Sequence, residues 1–279
     1  MDWVSRRIGS EHLDRLAELP GAELTTVLLA VMRRRVADMS APDVLRRYRS
    51  DRFVAPASAP FKELRAAEDR LLRALPDDVE VLQLAPLAPL GTHSVMSTVD
   101  QNNVVSTIRG TDVAADPTNA LALEAAVRRR AGKAVVRLAA LQRVVRAQVF
   151  GGANTFAHFT LFGRVTAARD TGTLEFERRH VVEHLRSSPG DEFRLTFFDD
   201  RFRPLLDEVR SRVDRVVVED PARELGRGYY DGFCFKVFRG GVEIGDGGLV
   251  DWTRRLLADR KERMLISGIG VDRLAVSEP

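Results

Sequence analysis

The chain has 279 residues, of which 44 % are hydrophobic and 30 % charged, the mixture of a globular protein rather than of a disordered chain. With 43 basic against 40 acidic residues the formal net charge is only +3, so no strong field draws it to nucleic acid; all the basic residues except Lys62, Lys133, Lys236 and Lys261 are arginines, most of them expected on the surface or in ion pairs. No apolar run reaches the roughly 20 residues of a membrane helix, no signal-peptide core opens the chain, and the single Cys234 leaves no internal disulfide and fits a cytoplasmic setting.

The first 50 residues predict helices. His12 to Leu19 is a short amphipathic stretch ending at Pro20-Gly21, and Leu24 to Met39 has an apolar face and a basic end. Ser40 caps a third helix with Pro42 in its first turn. Residues 54–60, rich in Pro and Ala, read as a linker, which puts a boundary near residue 55. Phe61 to Leu75 is helical by spacing, and Val79 to Leu84 and Val104 to Ile108 predict strands. A helix over Asn119 to Arg130 follows, then Val135 to Phe150, whose second half reads as a strand. Gly151 to Asn154 predicts a turn, and Phe156 to Thr166 a strand.

Thr173 to Leu185 ends in a helix, Glu192 to Phe198 alternates as a strand, Phe202 to Val213 is helical and Val216 to Val218 is a short strand. Tyr230 to Phe238 alternates strongly and runs into a hairpin turn at Gly240-Gly241. Val250 to Leu257 reads as a helix, Met264 to Gly268 as a strand and Val271 onward as a last helix. Helices, strands at hairpin spacing, then helices is an α+β order, not the strict alternation of a doubly wound sheet. Neither a GxxxxGK[ST] loop nor a GxGxxG fingerprint in strand–helix context is present.

Five local patterns, in order, resemble the catalytic core of class II aminoacyl-tRNA synthetases. They are closest to the branch of histidyl-tRNA synthetase and the ATP phosphoribosyltransferase regulatory subunit. Arg65 to Pro86, a helix and a strand ending in proline, resembles motif 1, which forms the dimer interface. Val113-Ala-Ala-Asp116-Pro-Thr118 resembles LRPEGT, whose acid and threonine hold the substrate amino group; Ala114 replaces its arginine. Arg146-Ala-Gln148 and Phe159-Thr-Leu-Phe-Gly163 resemble motif 2, with Arg146 at the α-phosphate arginine, Gln148 for the usual Glu, and Phe159 at the adenine-stacking aromatic (Phe162 is the runner-up). Arg227-Gly-Tyr229-Tyr230-Asp-Gly232-Phe-Cys-Phe-Lys-Val-Phe238, then Glu243-Ile-Gly-Asp-Gly247-Gly248-Leu-Val-Asp251, resembles RGLDYYTRTVFE and GGRYD. Gly232 stands where the synthetase pattern has Arg and the regulatory-subunit pattern Gly. Ile266-Ser-Gly268-Ile-Gly270-Val-Asp-Arg273 resembles motif 3, with Arg273 at the γ-phosphate arginine.

The resemblance implies an antiparallel class II synthetase-type sheet flanked by helices over residues 56–279, behind a helical N-terminal extension over 1–55. It implies ATP and Mg2+ as cofactors, with no metal site of the chain's own. Arg146 and Arg273 would be catalytic, with Gln148 and Phe159 also on the nucleotide. Asp116, Thr118, Tyr229, Tyr230, Gly247 and Gly248 would line the substrate pocket. The anticodon-binding domain is missing after Arg273, so tRNA is not an expected partner, whereas a homodimer is. Two functions follow. One is a tRNA-independent ligase that adenylates a small carboxylate or amino acid for transfer to an amine or carrier; the other is a non-catalytic regulatory or binding paralogue acting with a partner enzyme.

Blander readings stand beside these. Asp116-Pro-Thr118 is also a helix start, the tyrosines also suit a core, and the glycines also suit a turn. His180-Val-Val-Glu183-His184 has a zinc-protease spacing but reads as two exposed histidines on a charged helix. His93 and His158 could act as acid–base groups, and Cys234, between Phe233 and Phe235, lacks a partner for nucleophilic work. Residues 89–103 match nothing in the histidyl branch and could form a pocket wall.

Overall fold

A computed structural model describes residues 3–57, 59–148 and 157–276. Helices α1 (Trp3–Ile8), α2 (Ser10–Glu18), α3 (Gly21–Val36) and α4 (Ala41–Ser50) open the chain, and none of them contains a buried residue. The start of α4 is a capping box. Ser40 Oγ accepts from the Asp43 amide, and the Asp43 carboxylate accepts from the Ser40 amide at 2.9 Å. The extension reaches the body through Arg52, which donates to the carbonyls of Ala147 and Gln148, and through Ala55, whose carbonyl accepts from His158 Nε2 at 2.5 Å.

The body follows as α5 (Phe61–Arg73), β1 (Glu80–Val81), β2 (Leu87–Pro89), α6 (Thr92–Met96), β3 (Thr111–Val113), α7 (Pro117–Arg130), β4 (Val135–Val145), β5 (His158–Arg169) and α8 (Glu175–Arg186). Then come β6 (Glu192–Phe197), α9 (Pro204–Arg212), β7 (Val216–Glu219), β8 (Phe233–Arg239), β9 (Val242–Val250), α10 (Trp252–Leu257), β10 (Glu262–Gly270) and α11 (Val271–Val276). Eight strands form one sheet in the order β1-β4-β5-β10-β9-β8-β6-β7, and β2 pairs with β3 apart from it. The interior pairings are antiparallel, and only the edge pairs β1–β4 and β6–β7 are parallel. This is the antiparallel α+β sheet expected.

Period-two alternation along the strands divides the core between the sheet's faces. One face buries Phe162, Phe235 and Leu265 beneath α5, α8, α9 and α11. The other buries Val165, Ala167 and Ile266 beneath α7 and α10, with Trp252 wholly enclosed. Along β9 the glycines let neighbouring groups come close. A Cβ on Gly247 would run into the Phe235 ring, and one on Gly248 would stand 2.6 Å from the Tyr230 ring.

Four expectations are corrected. Residues 104–108 make only an isolated bridge, Ser106 to Asp112, and the strand here is β3. Leu82 to Leu84 continue past the two-residue β1 without a ladder. The strand over 135–145 includes the first half of its segment. The helix expected from Val250 begins at Trp252, because Leu249 and Val250 still pair with β10 and close β9. The turn expected at Gly151 to Asn154, with the adjoining ends of its two strands, lies outside the described residues.

The histidines of α8 are also corrected: His180 and His184 are buried, at 4 % and 3 % exposure. His180 lies edge-on to Phe176 and bonds Glu183 Oε2 at 2.8 Å, while His184 bonds Thr166 Oγ1 at 3.0 Å and Ser267 Oγ at 2.9 Å. Arg137 reaches from β4 to pair with both Glu183 and Asp78. The charged letters of α8 therefore serve a polar layer under the sheet. Among the described residues, no three His, Cys, Asp or Glu side chains are grouped to hold a metal ion, and no helix is long and apolar enough to cross a membrane.

Candidate functional site

A cavity of about 450 Å³ opens on the face of the sheet that carries α7. Its walls come from α6 and the segment after it, the start of α7, the end of β4, the loop before β8, and β8 and β9 themselves. Arg146, Gln148, Asp116, Tyr229 and Tyr230 all line it.

Asp116 is the N-cap of α7. Its Oδ1 accepts from the Thr118 amide at 2.9 Å and from Thr118 Oγ1 at 2.6 Å, so the capping reading of Asp-Pro-Thr holds. Its Oδ2 lies 3.4 Å from Arg146 Nη2, and Arg146 Nε donates to the Ala115 carbonyl at 3.2 Å. The Arg146 guanidinium sits 5.2 Å from the Phe159 ring centre, within cation–π range. Phe159 packs on Ala114, Val144 and Leu161, whereas Phe162 points into the core of the opposite face.

The other end of the cavity is built from the second half of the chain. Tyr230 Oη donates to Asp246 Oδ2 at 2.9 Å, and Arg223 Nη2 lies 3.4 Å from the same oxygen. Lys236 and Glu243 pair at 2.7 Å. Burial pushes the Asp246 carboxyl above the usual carboxylate range, against the opposing Tyr230 bond and Arg223 charge. Burial, then the charges of Asp116 and Asp246, push the Tyr229 phenol well up. Tyr229 stands edge-on to Tyr230 and Trp252, with ring centres 4.8 and 5.8 Å away.

His93, from the segment that matched no pattern, faces the start of α7. Its Nε2 accepts from the Ala115 amide at 3.1 Å, so Nδ1 carries the proton and donates to Asn119 Oδ1 at 2.7 Å. That bond orients the Asn119 amide, and its Nδ2 is buried without a partner.

Five expected site residues stand off the cavity wall, Phe159 among them. Thr118 is 2 % exposed, behind Asp116. Gly247 and Gly248 lie against Phe235 and Tyr230. Arg273 reaches the wall indirectly, its Nη1 donating to the Glu243 carbonyl at 3.5 Å. His158 holds Ala55 and Arg143 instead of facing the cavity. Gly232, at φ 89°, has the Phe202 ring in the space that a Cβ would take. Sequence reasoning missed Asn119, Arg223, Lys236, Glu243 and Asp246. Lys236, Glu243 and Asp246 lie within the stretches that resemble RGLDYYTRTVFE and GGRYD, at positions to which the resemblance assigns no role, and Arg223 lies ahead of them.

Neither protein-family models nor curated protein sequences give a match to this chain. Solved structures do. An ATP phosphoribosyltransferase regulatory subunit/histidyl-tRNA synthetase from Bacillus halodurans C is similar at TM-score 0.61 and 16 % identity, over 81 % of this chain and 82 % of that one. A histidine–tRNA ligase subunit from Alicyclobacillus acidocaldarius gives TM-score 0.59 and 16 % identity, over 80 % of this chain and 95 % of that one. The apo histidyl-tRNA synthetase of S. aureus gives 0.55 and 14 %, over 78 % of this chain and 65 % of that one. The fold is thus that of the class II synthetase-type core, as its motifs suggested.

Proposed function

We propose that the chain is a non-catalytic, ligand-binding paralogue on the class II synthetase-type fold, which takes a small amino acid in the cavity of Asp116 and Tyr230 and acts with a partner enzyme. The observation that carries this reading is Gly232. An arginine there would need a positive φ and the space that Phe202 fills, and the regulatory-subunit pattern, unlike the synthetase pattern, has glycine at this place. The cavity suits a zwitterion. Asp116 offers an anion for an ammonium group, and Arg146 a two-donor fork for a carboxylate. The fold shared with an ATP phosphoribosyltransferase regulatory subunit/histidyl-tRNA synthetase supports the same reading.

The test is pyrophosphate exchange with all twenty amino acids, together with affinity capture of partners by the purified chain. The expected result is no exchange and recovery of a partner enzyme. Exchange with any amino acid overturns it.

The second reading is an adenylate-forming ligase using ATP and Mg2+. It is favoured by Arg146, Gln148, Phe159 and Arg273 lying along one end of the sheet, where Arg146 and Arg273 would hold phosphates and Phe159 the base. Calorimetry with ATP and Mg2+ tests it; absence of binding removes it. A homodimer through α5 and β1 is part of either reading. It is supported by the groove there, where Phe61 is 75 % exposed beside Leu64 and Leu72, and sedimentation tests it.

A further inference from the structure

Within the cavity, three carboxylates stand beside three cations, so the wall is balanced in charge. Asp116 has Arg146 at 3.4 Å, Asp246 has Arg223 at 3.4 Å, and Glu243 has Lys236 at 2.7 Å. What remains is a surplus of donors. Asn119 Nδ2 and Arg223 Nη1 both belong to residues on the cavity wall, and both are buried N–H groups without a hydrogen-bond partner. Asn119 is 1 % exposed, and the Arg223 side chain 7 %. Leaving such a donor unmet is costly, more so for a charged group, so each calls for an acceptor.

Neither donor is free to turn away. The His93 proton sits on Nδ1, because Nε2 accepts from a backbone amide, and this holds Asn119 Oδ1 toward His93. Arg223 is held by its own loop, Nε donating to the Leu225 carbonyl at 2.8 Å, and its guanidinium lies 5.9 Å from the Tyr230 ring centre.

The geometry points to a ligand with more acceptors than a simple amino acid: Asn119 and Arg223 are specificity-determining donors for a second carboxylate, and the ligand is a dicarboxylic amino acid. This rests on the reading of the cavity as an amino-acid site. Aspartate and glutamate supply the ammonium that faces Asp116, one carboxylate for Arg146 and another for the surplus donors. Leucine and lysine would leave both donors buried and unmet, and lysine would add a charge beside Arg223.

The test is calorimetry of the full chain with L-aspartate, L-glutamate, succinate, L-leucine, L-histidine and L-lysine. The same titrations follow for Asn119→Asp and Arg223→Gln, with circular dichroism to verify folding. Asn119→Asp keeps the oxygen that accepts from His93 and turns the surplus donor into an acceptor, so it preserves the packing while reversing the recognition. The expected result is binding of aspartate or glutamate at least about tenfold tighter than of leucine, histidine or lysine, with about a tenfold or greater loss in each variant. Tightest binding of leucine, histidine or lysine overturns the inference and leaves the amino-acid reading in place. So does an acidic ligand that binds both folded variants as tightly as the parent. Binding of none of the six overturns this inference together with the amino-acid reading.

Discussion

Asp116 divides its carboxylate between two tasks: Oδ1 closes the first turn of α7 at Thr118, and Oδ2 faces Arg146 at 3.4 Å. Backbone capping and the proposed ligand contact therefore meet in one side chain. Substitution separates them. Asp116→Asn keeps an oxygen for the cap and loses the charge, so thermal unfolding should stay near that of the parent while amino-acid binding falls. Asp116→Ala should lose both, with stability down by about 1 kcal/mol. Paired melting and calorimetry on the two variants make the comparison.

Gly232 should tolerate no side chain. Its φ of 89° disfavours any L residue, and the Phe202 ring occupies the Cβ position. Gly232→Ala should cost about 1–3 kcal/mol from the backbone conformation alone, with the clash added. Adding Phe202→Leu should recover only the clash. Urea denaturation of the single and double variants separates the two contributions.

His184 predicts an acid-sensitive fold. Burial, then the nearby charge of Arg164, holds its pKa well below 6.5. Above that pH the ring is neutral in both states. Below it the unfolded chain takes up a proton that the folded chain excludes, so stability should decline as pH falls from about 6.5. His184→Gln should flatten that decline. A second loss follows at lower pH. Burial opposes the charge of Glu183, but the His180 bond and the charges of His180 and Arg137 outweigh it and hold the carboxyl at about 2. Its contribution is complete above the ordinary carboxylate range and disappears as pH falls toward that value. Unfolding free energies from pH 8 to 3 check both.

Cys234 should be silent toward thiol reagents in the native state. It is fully buried, and burial raises its thiol to about 11, so little thiolate forms near neutral pH. The chain has one cysteine, so labelling with a chromogenic disulfide reports opening of β8 directly. The expected rate is that of unfolding; prompt labelling in native buffer contradicts the burial.

Local signals were legible in the sequence: the Ser40 cap, the alternation of Glu192 to Phe198, and the hairpin turn at Gly240-Gly241 each depend on neighbours a few residues away. β9 was not, since Gly245, Gly247 and Gly248 have no side chains to alternate and glycine is a poor strand former. The burial of His184 was missed because its partners, Thr166 and Ser267, come from β5 and β10. Asn119 and Arg223 escaped for the same reason. What marks Asn119 is a bond from His93, 26 residues away, and what marks Arg223 is Asp246, 23 residues on. The motif residues Arg146, Asp116 and Tyr230 could be named from the family resemblance, but not which of their neighbours would share the cavity.

The sheet order has a kinetic consequence. β4 and β5 form one hairpin, β8 and β9 another, and β10 joins them by pairing with β5 on one side and β9 on the other. Asp116 and Arg146 belong to the side of that seam built on β4 and β5, and Arg223, Tyr230 and Asp246 to the side built on β8 and β9. The β5–β10 contacts link residues roughly a hundred positions apart, a loop whose closure is slow. Either hairpin can zip early, but a chain that has not closed this seam carries two half-walls and no cavity. Ligand binding should therefore be acquired late in refolding, in step with the seam and after most of the secondary structure.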